Sequence, residues 1–334
     1  MGRIRTGHRL VALVALVLLA AVGCGSSSPS PGGSGSGSKA SGPELKNITV
    51  GTLDIPDGAA LFIAIKNGYF KKEGLTATPQ IVQSSETSNQ DMAAGTMDFS
   101  LCNYVSSFIA DENGLPLRFT ADALQAAPNV FDILVPKNSP IKSVSDLKGK
   151  KIGAPTAKDA VGNLAIDELL KEHGIPSSQV TTVPIAFQNM EEALGTGQVN
   201  AIWVTAPFIT QIEKTLGATR LVDSMTGPLT GLSVAGWCTT QAFAQKDPKT
   251  VAAFTAAIQK GQQIAGANNN AAVRQILPTY TKISAQIAAS MTLGVYPPSL
   301  SATRMQHVAD LLYQIGFLPK KLNASSLILA EPSA

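Results

Sequence analysis

Cysteine and histidine are the residue types in this 334-residue chain best suited to nucleophilic, acid–base or metal chemistry, and there are three of each. His8 falls in the N-terminal 23 residues, while His173 and His307 sit in amphipathic helix patterns that suit half-buried or solvated imidazoles. No His-x-x-x-His, Cys-x-x-Cys or Gly-x-Ser-x-Gly occurs, and Gly32-Gly33-Ser34-Gly35 belongs to a Gly/Ser tract rather than a phosphate loop. The sequence therefore predicts no catalytic residue, no metal and no cofactor. Beyond Cys24, Cys102 and Cys238 allow a single pairing. An exported protein could keep that disulfide, but two buried free thiols acting as small hydrophobes fit the residues equally well.

The chain opens with a processing pattern. Arg3, Arg5 and Arg9 form a basic region, followed by an apolar run Leu10–Val22 that is short for a bilayer span. The run ends at Ala21-Val22-Gly23-Cys24, which is similar to a bacterial lipobox. Residues 1–23 are read as a lipoprotein signal peptide and Cys24 as the lipidated residue. Residues 24–45 are rich in Gly, Ser and Pro and form a tether, whose reach as a flexible coil is about 25 Å. The expected location is extracytoplasmic, at the cell membrane, held by the lipid anchor alone. Lys and Arg total 26 against 23 Asp and Glu, and the signal's three arginines account for the difference. The mature chain is close to neutral and carries no basic stripe, which excludes a nucleic-acid partner.

Two stretches repeat one pattern. Lys72-Glu73-Gly74-Leu75 closes an apolar helical run, and Glu172-His173-Gly174-Ile175 closes another; a β-rich segment follows each. Further on, Ala93-Ala94-Gly95-Thr96-Met97-Asp98-Phe99 matches Leu194-Gly195-Thr196-Gly197-Gln198-Val199-Asn200-Ala201. Aligned on glycines, the offsets are 100 and 102 residues, too long for a solenoid and suited to two similar α/β lobes. Strand and helix patterns alternate in both, which predicts parallel sheets covered on both faces. Two long β runs, Val130–Pro136 and Leu232–Thr239, read as the crossings between lobes. Lobe 1 is then 46–136 plus 232–330, and lobe 2 is 137–231. Ligand clefts favour such lobe interfaces.

Several phrases in order resemble the substrate-binding proteins of ABC importers in the nitrate/sulfonate/taurine and thiamine-pyrimidine-precursor family. They are Ala64-Ile65-Lys66-Asn67-Gly68-Tyr69-Phe70-Lys71-Lys72-Glu73-Gly74-Leu75, Leu134-Val135-Pro136-Lys137-Asn138-Ser139-Pro140-Ile141, Asp146-Leu147-Lys148-Gly149-Lys150-Lys151-Ile152 and Gly316-Phe317-Leu318-Pro319-Lys320-Lys321-Leu322, together with the Ala93–Phe99 phrase above. The resemblance covers roughly residues 48–329. It implies a periplasmic-binding-protein type II fold, in which two α/β lobes are joined by two hinge strands and ligand lies between them.

In such sheets ligands sit beyond the carboxyl ends of parallel strands, beside helix N-termini. On that rule the resemblance nominates Asp54 and the Asp57-Gly58 helix start after the first strand. It nominates Ser84, Ser85 and the adjoining Glu86 after the second, and Asn103 with Tyr104 after the third. In lobe 2 it nominates Thr156, Lys158, Asp159, Trp203 and Thr205. The ligand set expected on this basis is Asp54, Ser84, Ser85, Asn103, Tyr104, Thr156, Lys158, Asp159, Trp203 and Thr205. Tyr104, Trp203 and Phe208 would stack on a planar or cationic ligand, whereas Trp237 is read as core. Family members often carry Gly-Ser-Ser or Gly-Ser-Thr where this chain has Thr156-Ala157-Lys158-Asp159, and an acid where it has Ala206 before Pro207. The first departure counts against nitrate or sulfonate, because Asp159 already uses a helix N-terminus; the second counts against a pyrimidine that needs the acid.

The implied function is capture of a small organic solute, sulfonate- or taurine-like or a heteroaromatic precursor, and its delivery by a monomer to ABC permease subunits. Two alternatives share the fold: an enzyme of the thiamine-pyrimidine-precursor synthesis type, and a receptor that presents ligand to a sensor protein.

Overall fold

The computed structural model describes residues 42–156, 158 and 160–329. The expected signal segment, Cys24, most of the tether and Asp159 lie outside the described residues. No helix among the described residues is long and apolar enough to cross a membrane.

Among the described residues ten strands form two five-stranded sheets: β1 (Asn47–Thr52), β2 (Thr76–Ile81), β3 (Phe99–Asn103), β4 (Leu117–Gln125), β5 (Phe131–Val135), β6 (Lys151–Ala154), β7 (Thr181–Pro184), β8 (Ala201–Thr205), β9 (Thr219–Asp223) and β10 (Ser233–Thr240). The strand orders are β2-β1-β3-β10-β4 and β7-β6-β8-β5-β9. In each sheet the fourth strand alone runs antiparallel to its neighbours: β10 against β3 and β4, and β5 against β8 and β9. The sheets are therefore mixed, which corrects the expectation of purely parallel ones.

Local sequence explains these placements. β5 and β8 are buried along their whole length and are rich in Ile, Val and Leu, as strands covered on both faces must be. β2 and β7 alternate or face solvent and carry Pro79 and Pro184, residues that cannot donate to a ladder and belong at sheet edges. Gly74 and Gly174, at φ +77° and +68°, end their helices in the left-handed conformation, as do Gly95 and Gly197 at +73° and +74°. The repeat seen in the sequence is thus one turn chemistry used twice.

The lobe boundary differs from the expected one. The sequence pattern places Val130–Pro136 in lobe 1, but β5 pairs with β8 and β9 and is part of the second sheet. The crossings are the segments 126–130 and 224–232. An apolar run at a crossing shows that a strand is buried without showing which sheet buries it. The Leu232–Thr239 run holds, as β10, inside the first sheet.

Helices cover both sheets. The longest, Pro248–Gly266, packs on the first sheet and on helix Ala59–Lys66. There Phe254 stacks on Phe99 with ring centroids 3.8 Å apart and meets Trp237 edge-on at 6.2 Å. Trp237 is fully buried, as expected of a core residue. Cys102 on β3 and Cys238 on β10 form a disulfide, with Cα atoms 5.9 Å apart, between adjacent strands of that sheet.

Candidate functional site

The carboxyl ends of β1 and β3 face those of β6 and β8 across a cavity of about 70 Å³. Both lobes line it. Lobe 1 contributes the turn after β1, the segment after β2, the end of β3 and Val234-Ala235 of β10; lobe 2 contributes the loop before helix Val161–Glu172, Phe131, Phe187 and the end of β8.

Six of the ten nominated residues line this cavity: Ser84, Ser85, Asn103, Thr156, Trp203 and Thr205. Most already hold structural bonds. Ser84 Oγ accepts from the Thr87 N–H and caps helix Ser85–Ala93, and Asn103 Oδ1 accepts from Val105 N–H and Ser106 N–H at the start of helix Tyr104–Glu112. Ser85 Oγ accepts from the Asn103 N–H at 3.1 Å, tying two strand ends together. Thr205 Oγ1 donates to the Val130 carbonyl, and Thr156 Oγ1 lies 3.0 Å from Asn163 Oδ1. Trp203 lies under the cavity, with its Nε1–H donating to Ser224 Oγ at 2.9 Å and its ring stacked on Phe131 at 5.5 Å. Phe187 stands 6.2 Å away, so three aromatic rings form one wall. Gly162 faces the indole closely enough that a Cβ would come within 2.8 Å of it.

Four nominations fall elsewhere. Tyr104 is fully buried in the lobe-1 core between Phe108 and Phe119. Its hydroxyl donates to Asp122 Oδ1 at 3.1 Å, and Arg304 Nη2 donates to Asp122 Oδ2 at 2.7 Å. Because Asn103 takes the cap, Tyr104 starts the helix and turns into the sheet rather than the cleft. Lys158 is exposed and does not line the cavity. Asp159 is outside the described residues. Asp54 lies beside the cleft, where its Oδ1 accepts from Gln188 Nε2 of the other lobe at 2.7 Å.

Asp57 and Glu86, named with the strand ends but not carried into the nominated set, line the cavity, as do Phe131 and Phe187, which sequence reasoning missed. Asp57 is 4% exposed and its Oδ1 has no hydrogen-bond partner; Glu86 Oε2 is likewise buried and unpartnered. Burial pushes the Asp57 carboxyl up to about 7, against the lowering effect of its own backbone N–H. The turn that holds it is fixed from the C-terminal part of the chain: Tyr280 OH donates to the Ile55 carbonyl and Tyr296 OH to the Pro56 carbonyl, each at 2.9 Å. Among the described residues no Lys, Arg or His lines the cavity, and no cluster of His, Cys, Asp and Glu is suited to a metal ion. His173 Nδ1 lies 2.9 Å from the Leu169 carbonyl and His307 Nε2 lies 3.0 Å from the Pro228 carbonyl, both remote from the lining.

Residues 55–272 match the model of a family described as NMT1/THI5 like. The chain belongs to the NMT1/THI5-like family. A putative thiamine biosynthesis protein of Haemophilus influenzae is 29% identical over 149 residues, covering 44% of this NMT1/THI5-like chain and 45% of the relative. The nitrate/nitrite binding protein NrtA of Synechococcus elongatus is 26% identical over 256 residues, 66% of this chain and 55% of that one. The chain thus spans about half the length of the curated relatives it matches. In structure it is similar to the alkanesulfonate-binding protein SsuA from Xanthomonas axonopodis pv. citri bound to MOPS, with a TM-score of 0.72, 19% identity, and coverage of 86% of this chain and 99% of that one. This NMT1/THI5-like chain has the two-lobed fold of periplasmic binding proteins.

Proposed function

We propose that this chain is an extracytoplasmic solute-binding lipoprotein of an ABC importer, which captures a small organic solute between its lobes and delivers it to the permease. The observation that carries the reading is a cavity built from strand ends of both lobes. A solute there touches both walls, so it binds the closed form better than the open one and draws the lobes together. The fold relative, named as an alkanesulfonate-binding protein, and the relative named as a nitrate/nitrite binding protein support the transport reading. Anchoring through Cys24 follows from the sequence pattern and leaves the body on a tether within reach of a permease.

The lining favours binding over turnover. It offers carboxylates, hydroxyls and aromatic rings, and both histidines outside the signal bond to backbone carbonyls elsewhere. The test is native mass spectrometry of the purified chain after incubation with growth-medium extract, paired with small-angle scattering. A retained small molecule together with a smaller radius of gyration is the expected result. Release of a chemically altered product would overturn the non-enzymatic reading. Labelled palmitate incorporated in the wild type but absent from Cys24→Ser is expected if the anchor is correct.

A further inference from the structure

The cleft differs in charge from what an anion receptor needs. Asp57 is buried and has one carboxylate oxygen without a partner, and a second unpartnered oxygen belongs to Glu86 on the same lobe-1 wall. Buried acceptors without donors cost free energy that a ligand can recover by supplying them. Among the described residues no Lys, Arg or His lines the cavity. Arg274 of the C-terminal region donates to the carbonyls of Ala288, Ala289 and Met291. Across the cavity stand the rings of Phe131, Phe187 and Trp203.

Resting on the solute-binding reading, we infer that the solute carries a positively charged nitrogen head, seated against Asp57 and Glu86, and a flat apolar body held against Phe131, Phe187 and Trp203. A cation supplies N–H donors to both carboxylates in charge-assisted bonds, and the ring faces attract it further. An anion in the same place meets like charge in a water-poor cleft. Val161 and Gly162, at the start of helix Val161–Glu172, line the opposite wall. Burial raises the Asp57 pKa and so resists its ionisation, a cost that a bound counter-charge would offset.

The test uses matched pairs of similar shape and opposite charge: benzamidine with benzoate, and benzylamine with benzenesulfonate. Each is titrated against the full chain by ligand-observed NMR, which detects millimolar binding. The cations are expected to bind, and Asp57→Asn and Glu86→Gln are each expected to weaken them about tenfold or more. Both substitutions are near-isosteric, and a circular dichroism melt identifies a variant that fails to fold; the other then decides. Anions binding as tightly as cations overturn the charge assignment and leave the solute-binding reading standing. Binding by neither kind also overturns it, while a solute recovered from the extract experiment would keep the broader reading alive.

Discussion

Gln188 Nε2 donates to Asp54 Oδ1 at 2.7 Å, joining the turn that follows β1 in one lobe to the turn that follows β7 in the other. The bond bridges the two lobes beside the cleft and exists only while they are together. It is a latch on lobe closure, built from side chains that make no contribution to either core.

Breaking that latch is expected to weaken solute binding without unfolding the protein. The bond is exposed, so its net worth is about 1 kcal/mol, which is roughly fivefold in apparent affinity. Gln188→Ala should show that loss by calorimetric titration, together with a larger radius of gyration and an unchanged melting temperature. An unchanged affinity would mean that the bond is incidental to closure.

Asp57 should make the protein less stable as pH rises. Its folded ionisation lies at about 7, above the ordinary carboxyl value. The native state therefore holds a proton that the unfolded chain has already released. Stability from this group is complete below about pH 4 and is lost as pH rises through 7. The full difference is on the order of 4 kcal/mol. Asp57→Asn is expected to melt higher than wild type at pH 8, with the gap closing at pH 4.

The same titration gives binding an opposite signature for cations and anions. Groups facing the site are Asp57 and Glu86, with Asp54, Tyr280 and Tyr296 packed around the turn; both phenols are held neutral by burial. Ionising Asp57 creates the counter-charge for a cation. Benzamidine affinity should rise between pH 6 and 8, and the rise should vanish in Asp57→Asn. A fall over that range would contradict a cationic head.

Gly162→Ala should disturb the aromatic wall. The new methyl would come within 2.8 Å of Trp203 Cε3, so the indole or the helix must move. Overpacking of this kind costs about 1–3 kcal/mol. The expected outcome is a lower melting temperature and a shifted tryptophan emission; an unchanged spectrum would show that the indole sits farther from the helix.

Arg220 secures a different buried acid. Its Nε donates to Asp132 Oδ2 at 2.5 Å on the second sheet, and Asp132 is fully buried. Removing the partner strands a buried carboxylate, and because the guanidinium is about a third exposed the loss should be about 2 kcal/mol, below that of a wholly buried pair. Arg220→Ala is expected to unfold at lower urea, with the deficit shrinking as acid protonates Asp132.

The sequence carried most of the scaffold and part of the site. Helix-ending glycines, proline in edge strands and alternating strand and helix patterns are local signals, and the folded chain follows them. Strand ends told which segments meet, so Ser84, Ser85, Asn103, Thr156, Trp203 and Thr205 were within reach. The direction of a single side chain was not. Tyr104 follows a capping Asn and turns inward to Asp122, a partner on β4. The burial of Asp57 depends on a turn held by Tyr280 and Tyr296, more than 220 residues along the chain, and no local pattern reports that. Phe131 is not legible because an apolar strand at a crossing does not reveal which sheet it joins.

β10 lies between β3 and β4, yet it follows the whole of the second lobe in the chain. As the chain emerges N-terminus first, the second sheet is complete, from β5 to β9, while the first still lacks an interior strand. Cys102 must likewise wait 136 residues for Cys238. The lobe that begins the chain is thus the last able to finish folding, and chaperones or oxidants acting on this protein meet an open first sheet beside a closable second one.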